Sequence, residues 1–305
     1  MEASNTGYAG ACSCLATLAL MTLLQGCASQ VPFNALPQSE AVVEHTDFRA
    51  DLVGTLRPPL TPYYAVDGHY STAGYVAQLA GYSSEKVHEF SCYSQTPDQE
   101  AVHYSAPYVA VWGIFNWPFR HEIVNGLHSL HGGDARAVAL RRGKLKRLIE
   151  TSLSQGRPEW ETGFLIHALG DSYAHVHGTA DGERAYGEFA GHALANLPWG
   201  ERPDSIFVDH HYVNYLEYVN VLFEVFTNAN KTPGDTESLR RFREEITAEA
   251  AKGNDARKKV SFFMNGTVFS DMGGGSLRQC ATLNEKLDSK EVRAFLDRLS
   301  RDLEG

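Results

Sequence analysis

From Tyr70 onward, apolar and polar positions recur at helical spacing over most of the chain. Tyr70 to Ala80 is an apolar-rich segment that Gly81 ends. Ser83 or Ser84 is placed to cap the next helix, with Glu85 in its first turn and Val87, Phe90 and Tyr93 following. Asp134 to Ser154 alternates Ala and Leu with Arg and Lys, which predicts a helix with one solvated basic face. Pro158 suits a first helical turn. The helix it opens enters through Gly163-Phe164-Leu165-Ile166 and is expected to stop at Gly178. Residues 183–196, 210–229, 236–252 and 289–303 also read as helices, the last clearly amphipathic. Gly273-Gly274-Gly275 lacks the Lys-Ser/Thr ending of a phosphate cradle and reads as a loop. No strand-rich block or solenoid-length repeat stands out. The predicted class is all-α, a single multi-helix domain with long irregular connections.

The N-terminus follows a different pattern. Leu15 to Leu24 is about as long as a signal-peptide core and too short to span a bilayer. It runs into Leu24-Gln25-Gly26-Cys27, which resembles the lipobox of bacterial lipoproteins. That resemblance implies cleavage before Cys27, acylation of Cys27 by palmitate-type chains, and anchoring in the cell envelope. Ala28 stands where an aspartate would signal retention at the inner membrane, so the outer membrane is implied. Residues 1–26 contain no Lys or Arg, a departure from the usual positive leader. The expected organisation is a signal peptide over 1–26, a lipidated tether over 27–60 and a helical domain over 61–305. The last is long enough for a substantial core.

Charge and cysteines narrow the partners. A net charge of −10 argues against a nucleic-acid-binding surface, although bound metal ions can supply positive charge locally. Cys92 and Cys280 could pair in an oxidising compartment, or Cys92 could remain a free buried thiol. Neither has a CxxC neighbour that would favour metal binding.

The densest chemistry lies in His167-Ala-Leu-Gly-Asp171-Ser-Tyr-Ala-His175-Val-His177. His167 and Asp171 share one helix face, His175 extends it by a turn, and His177 follows. Imidazoles and a carboxylate at this spacing suit a transition metal, zinc above all. Burying them without a partner would be costly. The plainer readings are a helix-stabilising His–Asp contact or a polar network in the core.

The pattern His-x3-Asp-x5-His, on His167, Asp171 and His177, resembles the zinc-dependent phospholipase C and single-strand nuclease superfamily. The resemblance implies an all-helical domain of phospholipase C type with two or three Zn(2+) ions. His167 and Asp171 would hold one ion, Asp171 would reach a second, and His177 would begin a third site. His175 lies outside that pattern, though relatives place a histidine there. Upstream, Asp67-Gly68-His69-Tyr70, Ala80-Gly81-Tyr82-Ser83 and Ser94-Gln95-Thr96-Pro97-Asp98 are similar to an uncharacterised bacterial branch of the superfamily.

In the phospholipases the mature amino terminus contributes to one metal. With Cys27 acylated, Asp67 and His69 become the candidates to replace it. Asp98 corresponds to the early bridging carboxylate that orients the attacking water, and is the candidate catalytic residue. Turn or capping duty is the plainer role for Asp67 and Asp98. His128 is the favoured next ligand, with His131 behind it. His192 fits the last histidine, but Asn196 stands four later where an acid is expected. Asp204 could supply that carboxylate from a loop, with Glu188 as the runner-up.

The implied activity is a membrane-anchored, zinc-dependent phosphodiester hydrolase, phospholipase C-like, acting on phospholipid. Single-strand nuclease-like chemistry is one alternative. A non-catalytic surface lipoprotein with a structural metal is another. Tyr63, Tyr64, Trp112, Phe115, Trp117 and Phe119 could meet an apolar substrate, or could simply be core.

Overall fold

A computed structural model describes residues 65–99, 102, 104–106, 109, 116–179, 182–188, 202–264 and 277–305. The expected signal peptide and tether, Cys27, His192 and Gly273–Gly275 lie outside the described residues. The described chain is mostly helical, in line with the all-α expectation. A π-helical turn, Ala65–Ser71, leads into α1 (Thr72–Leu79), and α2 (Ser84–Gln95) follows. After α3 (Trp117–His121) and a second π-helical turn, Glu122–Leu127, comes the long α4 (Ala135–Ser154). Then come α5 (Glu159–Ala174), α6 (His211–Asn230), α7 (Thr236–Ala250), α8 (Ser261–Met264), α9 (Leu277–Asn284) and α10 (Ser289–Glu304).

Local chemistry accounts for several boundaries. Ser83 accepts a hydrogen bond from the backbone N–H of Lys86 at the start of α2, and Asp134 does the same for Ala137 at the start of α4. Asp288 caps α10 through the N–H groups of Lys290 and Glu291. Lys231 takes the left-handed conformation that ends α6.

Helix α5 is the axis of the fold. Every residue from Thr162 to Ala174 is buried, so it has no polar face, as expected of a helix surrounded by others. Helices α2, α4 and α6 pack around it. Gly163 sets the closest approach, since a Cβ there would lie 2.3 Å from the Cβ of Tyr93 on α2. The apolar stripe of α10 (Val292, Phe295, Leu296, Leu299, Leu303) closes one side, with Phe295 against Trp160 and Phe164. Cys92 and Cys280 form a disulfide that ties α9 to α2. Among the described residues, no helix is long and apolar enough to cross a membrane.

Two expectations change. Helix α5 ends at Ala174, earlier than Gly178, and the chain turns into a hairpin of β1 (Val176–Thr179) and β2 (Gly182–Ala185). The antiparallel register pairs Val176 with Ala185, His177 with Arg184 and Thr179 with Gly182. The start of the predicted 183–196 helix is therefore strand. Its N–H groups are used by the neighbouring backbone, with Ala185 donating to Gly133 and Tyr186 to His175.

Candidate metal centre

Four segments meet over the middle of α5. The first π-helical turn carries His69, and α5 carries His167 and Asp171. Asp98 ends a 3-10 turn, Thr96–Asp98, that continues α2. His128 follows the second π-helical turn, its N–H closing a wide turn onto Ile123 O at 2.9 Å. The connection beyond it turns through Ser129 at φ 54°, and the Ser129 hydroxyl donates to Ala168 O of α5. That bond locks the His128 segment to the helix it must face.

Asp171 is the hub. Its Oδ1 lies 3.0 Å from His69 Nε2, and its Oδ2 lies 2.9 Å from His128 Nδ1 and 3.1 Å from His167 Nε2. Asp98 faces the same three ring nitrogens at longer range. Its Oδ2 is 3.7 Å from His69 Nε2, and its Oδ1 is 3.9 Å from both His128 Nδ1 and His167 Nε2. The His69 and His167 rings stack at 4.0 Å, and His128 meets His167 edge-on at 4.8 Å. His69, Asp98 and His167 form one group close enough to share a cation, and His128, His167 and Asp171 form another.

The outer nitrogens fix which ring atoms face inward. His167 Nδ1 donates to Ser94 O and His128 Nε2 donates to Tyr104 O, each at 2.9 Å. The inward atoms, His167 Nε2 and His128 Nδ1, then confront each other at 3.1 Å. Two neutral rings so tethered would aim two lone pairs at one another. Only a proton or a bound cation between them relieves that. The donor set of imidazole nitrogen and carboxylate oxygen, with its outer N–H groups held by carbonyls, fits a transition-metal ion such as zinc.

The electrostatics follow from the same geometry. Burial raises the Asp171 carboxyl, but His175, His167, His69 and the hydrogen bond from His128 outweigh it and hold the group well below the usual carboxylate range. Asp98 moves up, because burial and then the Asp171 charge outweigh the attraction of His167 and His128. Burial lowers His167, with His69 adding to the fall. His128 is raised against burial by Asp171 and Asp98. The two facing rings are thus pushed in opposite directions, His128 up and His167 down.

His175 caps the end of α5 and faces both ways. Its Nδ1 donates to His128 O at 2.7 Å and lies 3.6 Å from Asp171, and its Nε2 is 3.2 Å from Asp204 Oδ1. Burial opposes its protonation, but Asp171 and Asp204 push it up to about 9.

The other sequence candidates go elsewhere. The Asp67 carboxylate accepts from the backbone N–H of Val260 at 3.1 Å, and burial raises its pKa. This bond anchors the turn that carries His69. His177 lies on β1 with its ring 4.8 Å from that of Tyr186. His131 Nδ1 accepts from Gly133 N. Glu188 is engaged by Arg120, His121 and Asn125 at 2.7–3.1 Å.

Sequence reasoning missed the contributions of Ser94 and Tyr104, which act through main-chain carbonyls that any residue carries. It also missed Tyr218 of α6, whose ring lies beside His69 across Gly170. Comparisons with protein-family models, with curated proteins and with solved structures find no match.

Proposed function

We propose that this protein is a metal-dependent phosphodiester hydrolase, with the His69, Asp98, His128, His167 and Asp171 constellation as its centre. One observation carries the reading beyond metal binding. His69, His128, His167 and Asp171 are buried, whereas Asp98 keeps 18% of its side chain exposed. The donor set is therefore closed from the protein side and open at one carboxylate, as a site that admits water and substrate requires.

Zinc held there would polarise a phosphoryl oxygen and make water more acidic. The chain's own residues supply the rest. Asp98 faces the open side and is the group placed to orient a water and accept its proton. Ser94 O and Tyr104 O hold two imidazoles so that their inward nitrogens need no rotation. Asp171, kept ionised by the histidines around it, supplies the negative charge that balances a divalent ion. The apolar residues of α5 on either side of His167 keep bulk water away from the buried half.

Phospholipid is the favoured substrate, because Leu24-Gln25-Gly26-Cys27 reads as a lipid anchor that would hold the domain at a membrane. The direct test is to incubate the purified full-length chain with phosphatidylcholine vesicles and with single-stranded DNA, with and without chelator. A chelator-sensitive product from the vesicles supports phospholipase chemistry, and one from DNA moves the reading to the nuclease alternative. No product from either sinks the hydrolase.

The burial of four of the five donors also suits a structural metal in a non-catalytic envelope lipoprotein. One tightly held ion with no exchangeable water would favour that second reading. Two or three ions, lost with activity in His167→Ala, would favour hydrolysis.

A further inference from the structure

Three histidines turn a ring nitrogen toward Asp171, and two of them have their outer nitrogen tied to a carbonyl, Ser94 O for His167 and Tyr104 O for His128. Metal-ligating imidazoles nearly always donate their second N–H in this way, which fixes the tautomer and the ring plane. For His69, Nε2 points inward, so Nδ1 is the outer atom. The side chain beside that atom belongs to Tyr218 of α6. A methyl group on Gly170 would lie 3.2 Å from His69 Nδ1 and 3.3 Å from the Tyr218 carbon that bears the hydroxyl. A side chain at residue 170 would thus press on imidazole and phenol together, and glycine avoids this.

Tyr218 is fully buried, yet its hydroxyl makes no hydrogen bond. Phe223 and Phe226, on the same helix, fill buried positions without carrying a polar atom. A hydroxyl left without a partner in a dry interior costs on the order of 1–3 kcal/mol, and its presence calls for an explanation.

We propose that Tyr218 is a positioning residue of the metal centre, its hydroxyl accepting a hydrogen bond from His69 Nδ1–H when a metal is held and so fixing Nε2 as the ligand atom. The inference rests on the metal-centre reading above. The two side chains both border Gly170, so the hydroxyl and the outer nitrogen belong to one small region beside the centre.

The test compares the full-length wild type with Tyr218→Phe, which removes only the hydroxyl. Zinc affinity is measured by competition with a chromophoric chelator, and the stability of the metal-free chain by thermal unfolding. A merely structural hydroxyl with no partner predicts that Phe leaves zinc affinity unchanged and leaves the metal-free melting temperature unchanged or raised. The proposal predicts an unchanged or raised metal-free melting temperature together with a fall in zinc affinity of about tenfold or more. It also predicts one fewer slowly exchanging imidazole N–H proton in the NMR spectrum of the zinc-loaded variant. Equal zinc affinity in the two proteins overturns the role of Tyr218 while leaving the metal centre standing. A wild type that binds no zinc overturns both.

Discussion

His128 Nδ1 and His167 Nε2 face each other across 3.1 Å, with Asp171 Oδ2 within 3.1 Å of each. A divalent ion held by these atoms would have to displace any proton that His128 Nδ1 shares with Asp171 and His167. Zinc binding should therefore release protons near neutral pH and raise the melting temperature. At one hundred times the dissociation constant the gain is about 2.7 kcal/mol. Calorimetry in buffers of different ionisation enthalpy measures the proton release. A binding heat that does not vary with buffer would remove His128 from the ligand set.

Gly163 places α5 against α2, and His167 one turn later takes Ser94 O of α2 as its partner. A Cβ at residue 163 would overlap Tyr93, a side-chain and backbone clash that neither helix can absorb locally. Gly163→Ala should destabilise the chain by roughly 1–3 kcal/mol or more despite the better helix propensity of alanine. It should also weaken zinc binding, because separating the helices frees His167 Nδ1. Unfolding curves and zinc titration on the same variant check both. A variant as stable as wild type would show that the helices do not depend on this close approach.

The relation between Gly163 and Tyr93 also marks where the sequence stops being legible. Helices α2, α4, α6, α7 and α10 could be read from apolar spacing and caps, because their exposed faces carry polar residues that reveal the period. The His167–Asp171 pair was readable because both residues sit on one element, where spacing becomes geometry. The end of α5 was not. Gly178 looked like the helix stop, whereas the chain leaves the helix at His175, whose side chain is drawn to His128 O and Asp204. Nor did periodicity announce the π-helical turns that carry His69 and lead into His128. Those depend on tertiary contacts such as Ser129 to Ala168 and Asp67 to Val260.

The early end of α5 gives His175 and His177 different environments. His175 is buried between Asp171 and Asp204, while His177 is only partly buried and lies on a hairpin against Tyr186. His177→Ala should leave zinc stoichiometry and affinity within about twofold of wild type. His175→Ala removes the buried imidazole that pairs with both Asp171 and Asp204, costing about 3–5 kcal/mol. Metal analysis and melting temperatures of the two variants decide it. Loss of an ion in His177→Ala, with stability intact, would bear out the His-x3-Asp-x5-His expectation.

Away from the metal centre, His121 bridges two acids, with Nδ1 2.7 Å from Glu188 and Nε2 bonded to Glu304 near the end of α10. Arg120 also binds Glu188, and Arg293 of α10 binds Glu122, so this corner fastens the last helix to the second π-helical turn. Burial alone would lower the His121 pKa, but Glu304 and Glu188 together raise it above 6.5. A histidine raised on folding stabilises the native state fully below its unfolded pKa, and loses that contribution as pH rises through the folded value. His121→Gln should therefore lower the melting temperature on the acid side of 6.5, down to about pH 5, where carboxylates remain ionised. The difference from wild type should shrink steadily as the pH is raised above that window. Paired melting curves across the range test it, and a difference that stays constant with pH would mean His121 contributes by packing alone.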